Sequence, residues 1–254
     1  MSEIVTKNPV SKFVHGFLCP FRSFGFIRRN PVLYKFIITP LLINIITFSL
    51  VIYFGMGSFF DLVMSRLPQG DAWYWLVLHY FVVAVAILVV LVLVFFTFAV
   101  VGSLISSPFN DILSERTEML LMGKESDQAF SFTVFVSDGW RALVLESKKI
   151  GVFLVGMCVL LLLHLIPIVG SALYPLLSVG WTIFFLVTEY TGYVFSRKRY
   201  DFPTQRQKVF QHFTLMSGFG IGLFCVLAIP FFQFLCIPLG VVGAVRLLHE
   251  LGEL

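Results

Sequence analysis

The sequence predicts an all-α integral membrane protein with two long transmembrane helices and two proline-broken, re-entrant helical hairpins. Of its 254 residues, 58% are hydrophobic and 13% are charged. Soluble domains are about 45–50% apolar and about 25% charged. Four long stretches contain no Asp, Glu, Lys or Arg, and prolines interrupt the last two near their middle. These stretches are Phe36–Phe60, Ala72–Asn110, Ile150–Thr188 and Val209–Val245.

The N-terminal segment, 1–32, is predicted to be cytoplasmic or interfacial. Met1–Lys12 has neither an apolar core nor a small-residue cleavage site. We therefore expect no signal peptide there and membrane insertion through the protein's own helices. The first charge-free stretch predicts transmembrane helix 1 at 33–58, because about 20 apolar residues cross a hydrocarbon core about 30 Å thick.

Transmembrane helix 2 is predicted at 74–105. It opens with aromatic residues of the kind enriched at membrane interfaces, and it ends at Gly102 and the Ser-Ser-Pro sequence that follows. A cytoplasmic helical segment is expected at 106–149, with Ser107 as its N-cap and Pro108 in its first turn. Its early acids, Asp111, Glu115 and Glu118, suit the positive end of a helix dipole.

The two proline-containing stretches repeat one another. Ile166-Pro167-x7-Pro175-Leu176-x2-Val179-Gly180 matches Ile229-Pro230-x7-Pro238-Leu239-x2-Val242-Gly243 at equal spacing. We interpret this match as an internal duplication; the alternative is coincidence in an apolar composition. Each copy predicts helix, proline turn, helix, and gives hairpin 1 at 150–188 and hairpin 2 at 214–248.

The arms of these hairpins are short for a membrane crossing. Ile150–Leu165 spans about 24 Å at about 1.5 Å per residue, and Pro175–Thr188 is shorter still. We therefore expect re-entrant hairpins that enter and leave the membrane on one side. The alternative is two complete crossings with local thinning of the bilayer.

Charge placement predicts the orientation. If both hairpins open to the cytoplasm, every Lys and Arg except Arg66 lies on that side. The positive-inside rule then predicts cytoplasmic termini, as it also would for six complete crossings. A basic cytoplasmic linker is expected at 189–213, where its cations would bind anionic lipid headgroups. Those cations are Arg197, Lys198, Arg199, Arg206 and Lys208.

Catalytic motifs are missing from the sequence. It has no phosphate-binding P-loop, no G-x-S-x-G and no H-E-x-x-H, and its histidines do not share ligand spacing. Cys19, Cys158, Cys225 and Cys236 have no metal or redox spacing and are interpreted as apolar packing residues. We predict no enzyme, no cofactor and no metal site, and no pattern here indicates nucleic-acid binding.

Two features favour transport of an anion. The second helix of each hairpin is predicted to start inside the membrane, where its free N–H groups would face the interior, and transporters hold anions at such half-helices. The four apolar stretches contain no acid, whereas a cation pathway normally shows one. The polar pathway candidates near the turns are Ser171 and Gln233, and Asn44 lies in helix 1.

The predicted substrate-binding residues precede helix 1. Arg28, Arg29 and Asn30 stand directly before Pro31, which suits the first position of a helix. Arginine supplies a rigid fork of donors that fits tetrahedral oxyanions. The alternative is that the arginines only anchor the helix that follows.

Several motifs resemble those of the CysZ-type sulfate permeases. The matching segments are Thr39-Pro40-Leu41-Leu42-Ile43-Asn44, Ser107-Pro108-Phe109-Asn110-Asp111-Ile112-Leu113-Ser114-Glu115, the two Ile-Pro hairpins and Tyr200-Asp201-Phe202-Pro203. The resemblance extends roughly from Asn30 to Arg246. In that family a basic pair follows the proline before helix 1, whereas here the pair precedes Pro31.

The resemblance implies sulfate uptake across the bacterial inner membrane, supplying sulfur for cysteine biosynthesis. It also implies two long helices, partly inserted hairpins and oligomers of this chain. Within the matched motif, Pro108, Phe109, Asn110 and Glu115 are expected to cap and tie helices. Two alternatives are a scaffold protein that shapes the bilayer and an accessory subunit of another sulfate transporter.

Overall fold

The computed structural model describes residues 8–66, 73–123, 148, 151–166, 169–229 and 232–254, and all regular structure within these ranges is helical. The prediction of an all-α protein is confirmed. The helices are α1 (Pro9–Arg29), α2 (Tyr34–Arg66), α3 (Trp73–Met122), α4 (Gly151–Leu161), α5 (Val169–Arg197), α6 (Phe202–Gln211), α7 (Phe213–Ala228) and α8 (Gln233–Glu250). Short 3₁₀ turns precede α2, at Pro31–Leu33, and follow α4, at Leu162–Leu165.

Three helical stretches are long and apolar enough to cross a membrane: Pro31–Phe54, Tyr74–Val92 and Val169–Arg197. A fourth crossing is possible if α6 and α7, which are bent by 98° at His212, count as one broken span. Large apolar side chains stand exposed along the first two stretches, as at Ile46 and Phe81. Such exposure is expected where lipid replaces water, so the chain is a membrane protein.

The chain divides into two compact units. The first contains Met1–Ile37 together with Ser107–Leu254, and the second contains Ile38–Ser106. In the first unit, α1, α7, α8 and the last turns of α5 surround a buried core. Phe195, Phe219, Leu223 and Val241 are fully buried there.

α3 does not end at Ile105, so neither the predicted helix end nor an N-cap at Ser107 is found. One helix of 50 residues continues through Pro108 to Met122. An interior proline removes one hydrogen bond, which membrane helices tolerate when polar side chains satisfy the backbone groups that are freed. A neighbouring side chain does contact the α3 backbone here, since the Asn44 amide donates to the Gly102 carbonyl at 3.4 Å.

Both Ile-Pro sequences break helices as predicted. The first arm of repeat 1 ends in extended backbone at Ile166, and α7 ends in extended backbone at Ile229. Pro167 and Pro230 themselves lie outside the described residues.

The second proline of each repeat lies inside a helix instead of starting it. Pro175 is within α5 and Pro238 is within α8. α5 also continues past Thr188 to Arg197, so its 29 residues span about 43 Å. The second arm of repeat 1 is therefore longer than the sequence predicted, and it is long enough to cross a membrane.

Candidate functional site

The junction between α1 and α2 carries the predicted substrate-binding residues Arg28, Arg29 and Asn30. Both arginines lie in the last turn of α1. Asn30 closes the helix: its backbone N–H donates to the Ile27 carbonyl at 3.1 Å, and its side-chain amide donates to the Phe26 carbonyl at 2.8 Å. The structure thus places the three residues consecutively at one helix end.

The two arginines of this junction are exposed cations. Arg28 and Arg29 are exposed, and within the described ranges neither has a salt bridge or hydrogen bond to another side chain. Pro31 opens the 3₁₀ turn that leads into α2, as its position predicted. The two arginines lie at the C-terminal end of α1, where the helix dipole favours cations, and they directly precede the turn that leads into α2.

The buried face of α1 attaches this helix end to α8. The Cys19 thiol donates to the Gly243 carbonyl at 3.4 Å, and the buried Ser23 hydroxyl donates to the Cys19 carbonyl at 2.8 Å. The Arg246 guanidinium lies over the Phe26 ring, 5.6 Å from its centroid. Burial raises the pKa of the Cys19 thiol to about 12, so Cys19 is a neutral packing group at physiological pH.

The Pro-Phe-Asn motif lies inside α3, where Asn110 faces the last turns of α5. The Asn110 amide donates to the Tyr193 hydroxyl at 3.3 Å, and that hydroxyl donates to the Glu189 carboxylate at 3.3 Å. Pro108 is an interior residue of the helix, and Phe109, one residue before Asn110, is half-buried. These hydrogen bonds connect α3 to α5.

On this face of α3, Arg197 forms ion pairs with Glu118, three residues after Glu115, and with the Asp111 carboxylate at 3.8 Å. Arg197 donates to the Glu118 carboxylate at 2.6 Å and to the Asp111 backbone carbonyl at 3.3 Å. Glu115 is half-buried and forms no ion pair or hydrogen bond through its side chain within the part of the chain that the structure describes. Arg197 therefore ties α5 to α3.

Several basic side chains of the linker also contact other residues of the same chain. Lys198 donates to the Glu253 carbonyl at 2.6 Å, and Lys208 pairs with the Glu253 carboxylate. Arg199 and Arg206 are exposed. Lipid binding by these five cations stays a prediction, and Arg197, Lys198 and Lys208 also contact acids or a carbonyl of the same chain.

The two pathway candidates lie at corresponding helix starts. Ser171 is the third residue of α5 and is exposed. Gln233 is the first residue of α8, and its side chain lies outside what the structure describes. Both follow a helix break, but they stand on different helices.

A separate polar contact occurs in the second unit, between α2 and α3. The Asn44 amide donates to the Ser106 hydroxyl at 3.2 Å, and its carbonyl oxygen is buried without a hydrogen-bond partner. Across the described residues, no group of three His, Cys, Asp or Glu side chains could hold a metal ion.

Comparison with known proteins identifies the family. Residues 19–238 match the family model described as sulfate transporter CysZ/etoposide-induced protein 2.4. The chain belongs to this family. The match includes the arginine junction, the Pro-Phe-Asn motif and both Ile-Pro breaks, and it confirms the resemblance inferred from the motifs.

Bacterial relatives agree with the family match. A protein of Pseudomonas paraeruginosa is 33% identical over 88% of this chain and 91% of its own length. Relatives from Pectobacterium atrosepticum (27% identical, 92% and 83% covered) and Vibrio parahaemolyticus (28% identical, 86% and 87% covered) are similar over almost as much. All three carry the name sulfate transporter CysZ.

Sequence reasoning missed the partners on α5. Glu189, Tyr193 and Arg197 are spaced i, i+4 and i+8, which places them on one helix face. The same spacing relates Asn110 to Glu118 on α3. This periodic polar pattern was the available signal for a contact between two polar faces. Arg246 gave no comparable signal, because it is a single charge after a long apolar stretch.

Proposed function

We propose that this protein carries sulfate, or a related tetrahedral oxyanion, across the bacterial inner membrane into the cytoplasm, where it supplies sulfur for cysteine biosynthesis. One observation carries the proposal: bacterial relatives that align over more than four-fifths of this chain are named sulfate transporters. The candidate membrane spans support it, because a protein that carries an ion across the bilayer has to cross the bilayer itself. We propose that the protein is not an enzyme, in keeping with the transporter name of the same family.

Arg28, Arg29 and Asn30 are the proposed binding residues at the cytoplasmic surface. The exposure of both guanidinium groups supports this role, as does the lack of an ion-pair partner among the described side chains. The guanidinium group of arginine donates paired hydrogen bonds to oxyanions. A residue that only anchors the following helix does not need this geometry. The termini lie in the cytoplasm in this proposal, in keeping with the positive-inside distribution of Lys and Arg.

The hairpins are proposed to be re-entrant and to line the pathway in a homo-oligomer. Turns at membrane depth must be buried in protein or line a wet cavity. The helix breaks at Ile166 and Ile229 support such turns, and Ser171 and Gln233 follow them along the chain. Neighbouring copies of the chain would supply the protein surface that covers the breaks.

Uptake of radiolabelled sulfate into liposomes that contain only the purified protein tests this function. We expect saturable uptake that sulfite inhibits and chloride does not. The double variant Arg28→Ala/Arg29→Ala should bind and carry sulfate at least tenfold less well, because a lost charged hydrogen bond weakens binding by about that factor or more. The matched control is Arg199→Ala/Arg206→Ala, which removes two exposed arginines elsewhere.

Three results would overturn parts of the proposal. Unchanged sulfate affinity in the Arg28→Ala/Arg29→Ala variant would show that these residues do not bind sulfate and only anchor the helix that follows. No uptake above empty liposomes, with the protein shown to be folded and inserted, would exclude an autonomous transporter. Uptake that appeared only after a second transporter was added would indicate an accessory subunit.

A further inference from the structure

Arg246 carries a buried donor without a partner. It lies in α8 between the fully buried residues Val245 and Leu247, and its Nη1 atom is buried with no hydrogen-bond partner. A buried guanidinium nitrogen that donates to nothing is costly, because it has lost water and gained no acceptor. In native proteins a bound ion or water that accepts from the group is one explanation for such a donor.

The position of Arg246 relates this donor to the end of α1. Its guanidinium stacks over the Phe26 ring at 5.6 Å. Arg29 and Asn30 follow Phe26 by three and four residues, so they share its helix face. The Asn30 amide is also bonded to the Phe26 carbonyl at 2.8 Å. The unpartnered donor thus lies against Phe26, one helical turn before the proposed sulfate-binding residues.

The acid nearest to Arg246 along α8 is already bound elsewhere. Glu250, one turn later, contacts the His15 Nε2 atom at 2.6 Å. In the described part of the chain, no salt bridge of Arg246 is found. The positive charge is therefore not neutralised by a carboxylate, as a residue that receives an anion requires.

We propose that Arg246 is a third arginine of the oxyanion site, in addition to Arg28 and Arg29, and contacts the anion from the buried side, while Arg29 contacts it from the exposed side. This inference rests on the proposed function of the α1 end. A tetrahedral oxyanion presents oxygens in several directions, so two guanidinium groups on different helices bind it together. Arg246 lies beyond residues 19–238 that the family model matches.

The test uses three full-length variants purified in lipid-free detergent: Arg246→Gln, Arg246→Lys and the exposed control Arg199→Gln. We expect Arg246→Gln to weaken sulfate binding roughly ten- to hundredfold, as for the loss of charged hydrogen bonds. Arg246→Lys keeps the charge without the fork and should lose less affinity. The control should bind as the parent does.

Thermal unfolding without sulfate separates a ligand from a packing residue. If Arg246 binds an anion, Arg246→Gln should melt at or above the parent's melting temperature in the absence of sulfate. The addition of sulfate should then no longer raise the melting temperature of this variant. If Arg246 only packs on Phe26, Arg246→Gln should melt lower and still bind sulfate with the parent's affinity. The second result would overturn the inference, and Arg246→Lys repeats the comparison should Arg246→Gln not fold.

The phosphate of an anionic lipid has the same oxyanion chemistry, so a second arm distinguishes the sources. Melting is compared in nanodiscs of phosphatidylcholine with and without phosphatidylglycerol. In one outcome, phosphatidylglycerol stabilises the parent, Arg246→Gln abolishes this stabilisation, and sulfate has no effect. This outcome would support the oxyanion site and show that a lipid phosphate is its ligand. If Arg28→Ala/Arg29→Ala abolishes sulfate binding and Arg246→Gln does not change it, the role of Arg246 is overturned and the role of the other two arginines stands. A parent that binds neither sulfate nor the lipid would overturn both proposals.

Discussion

At the scale of single residues, the Arg197–Glu118 pair is a shielded ion pair of the first unit. Its N–O distance is 2.6 Å, and the side chains are 23% and 20% exposed. An exposed pair adds about 0–1 kcal/mol because water screens it. This pair is largely shielded, and the Asp111 carbonyl accepts a second hydrogen bond from Arg197, so it should contribute more than a surface pair.

We predict that Arg197→Gln lowers the free energy of unfolding by about 1–2 kcal/mol, as expected for a lost charged hydrogen bond. Glu118→Gln should lower it similarly, and the double variant should lose less than the sum because both changes break one contact. Denaturant unfolding in detergent measures all three. Arg199→Gln, an exposed neighbour, should change little, and additive losses in the double variant would show that the two residues act independently.

The partner of Arg197 could not be predicted from the sequence, although its helix face could. The residues of the pair are 79 positions apart, and no local rule relates positions so distant. The contact also requires α3 to continue past Pro108, which the sequence analysis had interpreted as a helix start. Arg28, Arg29 and Asn30 were easier to group, because they are consecutive and need only a helix end to stand together.

At the scale of helices, α1 and α7 approach each other closely through glycines. A Cβ atom on Gly218 or Gly222 would overlap the Phe13 or Phe17 carbonyl oxygen of α1. The two glycines are four residues apart, the G-x-x-x-G spacing that lets membrane helices pack backbone to backbone. This contact holds α1, and with it the arginine junction, against the rest of the first unit.

Gly222→Ala should therefore destabilise the protein by about 1–3 kcal/mol, the usual cost of overpacking. The matched control is Gly180→Ala, because the structure has nothing within 4 Å of a Cβ at that position. This control should leave stability unchanged or raise it by up to about 1 kcal/mol, since alanine favours helix. Melting temperatures in one detergent compare the two, and equal effects would argue against a close contact of α1 with α7.

The helix breaks show how far sequence reasoning reaches at this scale. A proline turn was predicted in each repeat, and the backbone is extended at Ile166 and Ile229, because the residue before proline is restricted to extended backbone. The second arms were misplaced, because proline within a membrane helix either ends it or only bends it. Pro175 stays within α5, and its carbonyl accepts the Ser178 hydroxyl at 3.0 Å. A choice between these outcomes depends on neighbours that one sequence does not specify.

At the scale of the whole molecule, the open question is how deeply the two repeats enter the bilayer. The sequence favoured re-entrant hairpins on the ground of short arms. The length of α5, 29 residues, removes that ground for repeat 1, and its first turns expose apolar side chains such as Leu173 and Leu176. The break at Ile166 still allows either arrangement, so accessibility has to decide between them.

Single cysteines at the starts of α5 and α8 test the arrangement directly. In re-entrant hairpins that open to the cytoplasm, Ser171→Cys and Gln233→Cys lie at membrane depth, so a membrane-impermeant maleimide added to intact cells should not label them. Gln69→Cys, in the predicted outer loop, should be labelled, and Arg206→Cys should be labelled only after the cells are permeabilised. The parent's labelling is measured first, because Cys158 and Cys225 are exposed. If Ser171→Cys is labelled as strongly as Gln69→Cys in intact cells, α5 crosses completely, as its span of about 43 Å permits, and the pathway then lies between full crossings instead of hairpin turns.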